Sequence, residues 1–367
     1  MSAGSQSNPP HRPAVSPKQP DWDNVRRVLV IRLRSIGDAV LATPALKALR
    51  RSLPNARIDF LLEDWVAPLF EGFEAADNII AIGTNSASRW RAALRLRQNR
   101  YDVVFNLHGG STSSFLAFAT GARHRIGYPY YRYAFLQNLR LRAAEDFWGA
   151  PNRHSAEQQL ALAGFVGIDV GGSLWPQLPL NATAAKSLES KFEEAIGAPL
   201  PQSFALIHPA AAFATKQWAA EKFARVAEYL AERGIEIVAA ASDAETAVLR
   251  ALADAANVPI AAFDNLTLPE IAVLASRAKI FIGNDSGIAH IAAAVKTPSV
   301  VIFGSSNRNH WRPWTDAPNE IVFEEFPCQP CPGYVCNEFG EPRCILSVRE
   351  TAVTDAVGRV LKKAGMN

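Results

Sequence analysis

Sulfur is scarce in this chain of 367 residues, which holds two Met and four Cys. The four cysteines fall within 17 residues, as Cys328-x2-Cys331-x4-Cys336-x7-Cys344. No disulfide framework can therefore staple the rest of the chain, which must fold by burying apolar surface. No apolar run approaches the roughly 18 residues that a membrane-spanning helix needs. Residues 1–24 are rich in Ser and Pro and lack the apolar stretch of a signal peptide, which predicts a disordered tail and a cytoplasmic location. No repeat of solenoid period is present. A large excess of charge is missing too, and a net +3 implies nothing about nucleic acid. The distribution says more. Residues 1–180 carry 21 Lys+Arg against 14 Asp+Glu, or +7, and the remainder 17 against 21, or −4. The N-terminal half is expected to face an anionic substrate or membrane surface.

What is present is ordinary globular material, 49% hydrophobic and 20% charged, in a length that suits two domains. Short apolar runs at 28–31, 58–62, 79–82 and 102–107 read as strands. They alternate with helical patterns at 39–49, restarted by Thr43-Pro44, and at 89–97. After Gly171-Gly-Ser-Leu-Trp-Pro-Gln-Leu-Pro179, which has linker chemistry, comes a helical pattern at 184–196. The alternation then restarts with strands at 204–208, 235–240, 280–282 and 299–303 and helices at 220–233, 244–255 and 268–276. Strands alternating with helices imply parallel sheets covered on both faces, so the expected fold is α/β with two Rossmann-like halves and a cleft between them.

The most informative stretch is Lys279-Ile-Phe-Ile-Gly-Asn-Asp-Ser-Gly-Ile-Ala-His290. A strand ends at Gly283-Asn-Asp-Ser-Gly287 and an apolar helix follows at once. The first turn of a helix has free N–H groups and partial positive charge, a seat for phosphate, and open α/β sheets bind ligands at this edge. His290 sits one turn in, within reach of the same anion. The plainer alternative makes Asp285 or Ser286 an N-cap and His290 a packed side chain. Three further stretches stand at strand ends. Arg32-Leu-Arg-Ser-Ile-Gly37-Asp38 places a carboxylate where it can act as general base or as a helix cap. The segment from His208 to Trp218 carries Lys216, suited to a diphosphate or else a solvated loop lysine, and Trp218, expected to pack on the next helix. Asp243-Ala-Glu245 can accept from ribose hydroxyls or simply support a helix dipole. No full G-x-G-x-x-G follows the first strand, so a dinucleotide fingerprint is not read.

In this order and spacing the four stretches resemble glycosyltransferase family 9, the ADP-heptose:lipopolysaccharide heptosyltransferases. Val28-Leu-Val-Ile-Arg-Leu-Arg-Ser-Ile-Gly-Asp-Ala-Val-Leu-Ala-Thr-Pro-Ala-Leu-Lys-Ala-Leu-Arg50 is close to the family's N-terminal signature. His208-Pro with Thr215-Lys216-x-Trp218, Asp243-Ala-Glu245 and Asp285-Ser-Gly-x-x-His290 complete the set. The family's usual Gly-rich stretch before the acid reads Ala239-Ala-Ala-Ser242 here. The resemblance covers roughly residues 25 to 360. It implies a GT-B fold with parallel sheets facing an inter-domain cleft. The implied division is tail 1–24, N-terminal acceptor domain 25–172, linker 173–202, C-terminal nucleotide-sugar domain 203–350 and C-terminal helix 351–367. It implies inverting, metal-independent transfer of heptose from ADP-heptose to the lipopolysaccharide inner core. Asp38 would be the base, with Thr215, Lys216, Glu245, Asp285, Ser286, Gly287 and His290 at the donor. The alternatives are a family 9 transferase using another nucleotide sugar or acceptor, or a non-catalytic nucleotide-sugar or metal-binding module.

Two features lie outside that set. The Cys-rich loop 328–344 has the ligands of a tetrahedral structural zinc site, Cys328, Cys331, Cys336 and Cys344, against free or pairing thiols. No cofactor is expected for catalysis. The other feature is basic: Arg89, Arg91, Arg95, Arg97 and Arg100 on or beside one helix, then Arg123, His124, Arg125, Arg132, Arg140 and Arg142 interleaved with tyrosines. An acidic glycolipid docked at the inner membrane face by Arg123, Arg125 and Arg132 is one reading, and a solvated charged surface is the other. Nucleic acid is not expected, since no binding motif accompanies the patch.

Overall fold

The apolar runs become parallel strands in the computed structural model of the protein, which describes residues 19–172, 175–331 and 333–366. Along the first half run β1 (Arg27–Ile31), α1 (Ile36–Val40), α2 (Thr43–Ser52), β2 (Arg57–Glu63), β3 (Asn78–Ile82), α3 (Ser86–Gln98), β4 (Val103–Asn106), α4 (Ser111–Ala119), β5 (His124–Gly127), β6 (Leu139–Arg140), α5 (Ala144–Trp148) and α6 (Ser155–Phe165). The second half has α7 (Ala182–Ile196), β7 (Phe204–His208), α8 (Ala220–Ala231), β8 (Glu236–Ala240), α9 (Thr246–Ala255), β9 (Ile260–Phe263), α10 (Leu268–Arg277), β10 (Ile280–Asn284), α11 (Gly287–Ala294), β11 (Ser299–Phe303), α12 (Arg308–Trp311), β12 (Asn319–Phe323), α13 (Arg343–Leu346) and α14 (Glu350–Lys363).

Two compact units result. One holds the chain up to Arg34 with Leu41–Leu174, and the other holds Ser35–Val40 with Trp175–Asn367. The first contains a sheet of order β3-β2-β1-β4-β5-β6, the second one of order β12-β11-β10-β7-β8-β9. All pairings are parallel. Read from each unit's own first strand the two orders are the same, that of a doubly wound Rossmann sheet. The strand order reverses between β1 and β4 in one unit and between β7 and β10 in the other. Such a switch point leaves a crevice at the carboxyl ends of the two strands.

The cores explain the patterns. β1 and β10 lie inside their sheets and are covered on both faces, so they read as continuous apolar runs rather than alternating ones. In the first unit Leu29, Ile31, Leu61 and Val104 meet Leu96 of α3 and Leu116 of α4. In the second, α8 turns Phe223, Val226, Ala227 and Leu230 inward at helical spacing. Full burial of such side chains is worth about 1.5–3 kcal/mol each. α14 lies over β11, β12 and α8, with Val353, Val357 and Val360 buried and Arg359 and Lys363 paired to Glu320.

The structure adds to the expected pattern. β5 and β6 are short and only partly apolar, β9 is four residues and β12 opens on Asn and Glu, and α4 and α6 sit in segments without strong helical periodicity; none of these was expected from the sequence. The expected tail falls largely outside the described residues. Within it, Trp22–Asn24 forms a 3-10 turn, anchored by Trp22 Nε1 donating to the Val166 carbonyl at 2.8 Å. The expected linker contains α7, capped by Asn181 and packed on α10.

Candidate active site

The second unit's switch point is occupied by two of the four motifs, those after β7 and β10. β10 ends in Asn284, which is fully buried. Its Nδ2 donates to the carbonyls of Pro209 and Ala210 at 2.8 and 3.3 Å, and its Oδ1 accepts from Trp218 N–H at 3.0 Å. One amide thus ties the loop after β7 to the end of β10. That loop delivers Lys216, whose Nζ pairs with Asp285 Oδ2 at 2.8 Å, the carboxylate being buried and the ammonium about one fifth exposed. Ser286 caps α11, its Oγ accepting from Ala289 N–H at 3.4 Å. The helix is short and almost wholly buried, as its apolar circumference predicts.

His290 is 5% exposed, and among the described residues its Nδ1 has no hydrogen-bond partner. Burial pushes its pKa below 6.5, with Lys216 and His310 adding in that direction and Asp285 and Asp38 opposing. Without a ligand its imidazole is neutral at neutral pH. Trp311 stands 6.4 Å from its ring.

Asp38 joins this cluster by a route the sequence does not show. It lies in the first turn of α1, half-buried, and accepts from Ser35 Oγ at 3.0 Å. α1 packs on α11, and the contact needs small residues. A Cβ on Gly37 would lie 2.4 Å from Cδ2 of His290, and one on Gly287 would lie 2.8 Å from Cβ of Ile36. The carboxylate, the ammonium, the neutral imidazole and the N-terminus of α11 therefore belong to one assembly. It has a base on one side and anion-directed groups on the other.

The other expected residues make contacts of their own. Glu245 closes a capping box, its Oε2 accepting from Ser242 N–H at 3.0 Å and Ser242 Oγ at 2.7 Å. Thr215 is buried and donates to the Gly333 carbonyl while accepting from Ser305 Oγ. Its hydroxyl thus binds the Cys-rich loop. Trp218 is buried, edge-on to Phe223, and donates from Nε1 to the Val348 carbonyl at 3.0 Å, so it packs on the helix as expected. Cys328, Cys331, Cys336 and Cys344 all line one small cavity with Thr215 and Ser305. Burial, and then Cys331, push the Cys344 thiol up. Among the described residues no group of three or more His, Cys, Asp or Glu is gathered closely enough to hold a metal ion, so the expected four-cysteine site is not assembled in this arrangement.

In the first unit Arg123 and Arg132 are exposed. Arg125 is half-buried, with Nε and Nη1 donating to the carbonyls of Leu136 and Ala122. Sequence reasoning passed over Asn284, Ser35 and Trp311. Asn284 alone gave a signal, as a polar side chain ending an apolar strand.

Two doubly wound units of one topology are the make-up of a GT-B type fold. Residues 89–340 match the profile of glycosyltransferase family 9 (heptosyltransferase), and the chain belongs to that family. It is 28% identical over 310 residues to lipopolysaccharide heptosyltransferase 3 of Escherichia coli, covering 79% of this chain and 86% of that protein. Two solved structures share the fold. One is a family 9 glycosyl transferase from Veillonella parvula DSM 2008, with TM-score 0.78, 19% identity and coverage of 92% and 97%. The other is the E. coli ADP-heptose lps heptosyltransferase II, with TM-score 0.77, 21% identity and coverage of 92% and 99%. Among the described residues no helix is long and apolar enough to cross a membrane.

Proposed function

We propose that this glycosyltransferase moves heptose from ADP-heptose to an acidic glycolipid, the lipopolysaccharide inner core, with inversion and without a catalytic metal. The observation that carries the reading is the convergence of Asp38, Lys216 and His290 on the N-terminus of α11. Asp38 takes the proton from an acceptor hydroxyl, whose oxygen attacks the anomeric carbon opposite the diphosphate. The C–O bond to ADP breaks through an oxocarbenium-like transition state. Negative charge grows on the departing phosphate, where Lys216, the N–H groups of Ser286 and Gly287, and His290 stabilise it. A carboxylate against phosphate would repel it, so Asp285 acts by aiming Lys216. Glu245 and Thr215 serve the donor from further away, through the ribose-side loop and the Lys216 loop respectively.

The acceptor is placed on the first unit, where Arg123 and Arg132 offer exposed guanidinium groups and Arg125 shapes the loop between them. The enzyme works in the cytoplasm, in peripheral contact with the inner face of the membrane. A structural zinc on Cys328, Cys331, Cys336 and Cys344 belongs to this reading: the four thiols line one cavity without being gathered into a ligand set, and a bound metal would draw them together. Such a site closes around four thiolates and keeps no open position.

The test is turnover of the full chain with a panel of nucleotide sugars and heptose-deficient core acceptor, with and without exhaustive chelation. ADP should be released only from ADP-heptose, the product should have the inverted anomer, and chelation should leave the rate unchanged. Asp38→Asn should slow transfer by about 10²-fold or more while keeping ADP-heptose affinity. Preference for another sugar, loss of turnover on chelation with the melting temperature unchanged, or near-normal rates in Asp38→Asn would each refute the corresponding part.

A further inference from the structure

The first unit presents a surface that the transfer chemistry does not use. Trp90 and Leu94, one turn apart on α3, are 62 and 65% exposed, Phe118 on α4 is 52% exposed, and Phe135 in the 3-10 turn after β5 is 74% exposed. The elements that carry them lie side by side, α3 against α4 and α4 against the 3-10 turn Ala134–Leu136. Trp90 meets Phe115 of α4 edge-on at 5.1 Å, and Phe115 roots the strip in the core. Phe118 lies one turn further on, beneath the guanidinium of Arg125. Arg125 is bonded to the Leu136 carbonyl beside Phe135, whose ring meets Tyr133. Isolated exposed apolar residues are normal, but a contiguous set of this size marks an interaction site.

Charge decides the occupant. Between residues 86 and 142 there are ten Arg, no Lys, no Glu and one Asp. That one, Asp102, accepts from the backbone N–H groups of Arg26 and Arg27. A second copy docking through the same face would bring like charge against like charge and is disfavoured. Stacking on nucleobases would account for the rings, but not for Leu94 standing out among them. Aromatic rings, a protruding aliphatic side chain and surrounding guanidinium groups match the interface of an anionic bilayer. There rings settle at headgroup depth, and each cation near the surface gains attraction.

We propose that the α3–α4 face, with Trp90, Leu94, Phe118 and Phe135 as its inserting side chains and Arg91 and Arg95 beside them, docks the enzyme on an anionic lipid surface. This deepens the reading above, in which the acceptor is a membrane glycolipid. The two fail separately, because docking is measured on vesicles free of acceptor and sugar nucleotide.

The full chain should sediment with phosphatidylglycerol-rich vesicles and not with phosphatidylcholine vesicles, and rising salt should weaken the binding. The triple variant Leu94→Ser, Phe118→Ser, Phe135→Ser should lose about tenfold in partitioning per side chain that inserts fully. Its melting temperature and its rate with a soluble, lipid-free acceptor should be unchanged. Arg91→Gln with Arg95→Gln should reduce the preference for anionic vesicles without abolishing the apolar contribution. Three results would overturn the proposal. One is no binding to anionic vesicles. Another is vesicle binding indifferent to the triple substitution. The third is a wild-type dimer in solution that the triple substitution dissociates, which would give the face to a second copy.

Discussion

At the scale of residues, the site depends on how Lys216 and Asp285 share their charges. The pair is nearly buried, so removing one partner alone leaves the other in low dielectric, a strongly destabilising change. Lys216→Ala therefore confounds binding with stability. Lys216→Met combined with Asp285→Asn leaves no orphaned charge. It should fold with a near-normal melting temperature yet bind ADP about 10- to 100-fold more weakly, the scale of a charge-assisted hydrogen bond. Titration calorimetry reads this directly, and normal ADP affinity in the double variant would take Lys216 away from the phosphate. His290→Gln, of similar length and polarity, should likewise weaken ADP while sparing the fold, because the imidazole Nδ1 has no hydrogen-bond partner to lose among the described residues.

At the scale of elements, two short contacts hold this geometry. One is the amide of Asn284, which spans the switch point. Asn284→Ala leaves the Trp218 N–H and the Pro209 carbonyl without their partners, at a cost of about 1–3 kcal/mol for a buried group left unpaired. The loop bearing Lys216 should loosen with it. The KM for the sugar nucleotide should then rise more than kcat falls. The other contact is α1 against α11. Gly37→Ala would drive a Cβ into the His290 ring, and overpacking of this kind costs about 1–3 kcal/mol. Urea melts of Gly37→Ala and wild type measure the difference. Equal stabilities would mean that α1 gives way without cost.

At the scale of the whole molecule, two buried histidines set a limit on acid stability. His208 donates from Nδ1 to the Ala240 carbonyl at 2.8 Å, and its pKa is lowered by burial, with that bond and Glu245 opposing. His290 is lowered as well. Both are neutral in the folded state at pH values where the unfolded chain already binds protons. Their contribution is complete above the unfolded value of 6.5 and is lost as pH falls below it. Each can contribute a slope of up to about 1.4 kcal/mol per pH unit over that window. Denaturation midpoints from about pH 8 to about pH 5 should fall more gently in His208→Asn than in wild type. Parallel curves would show that His208 titrates alike in both states.

Much of this was legible in the linear chain, because the signals involved are local. Strand runs such as 204–208 and 299–303 reflect burial on both faces of a sheet, and the turn Gly283-Asn-Asp-Ser-Gly287 reflects what a strand-to-helix junction requires. Alternation of the two implied doubly wound sheets, and the order of the four motifs identified the family. What the chain did not disclose depends on contacts between distant residues. Asp38 and His290 are 252 positions apart, and only the packing of α1 on α11 makes them neighbours. The same first-turn chemistry at Glu245 and Asp285 has two outcomes. One carboxylate turns back to cap its own helix, while the other meets a lysine brought over by Asn284. The strip from Trp90 to Phe135 exists only because α3, α4 and the loop after β5 lie side by side, since side chains become a surface only when sheet order sets which helices are adjacent.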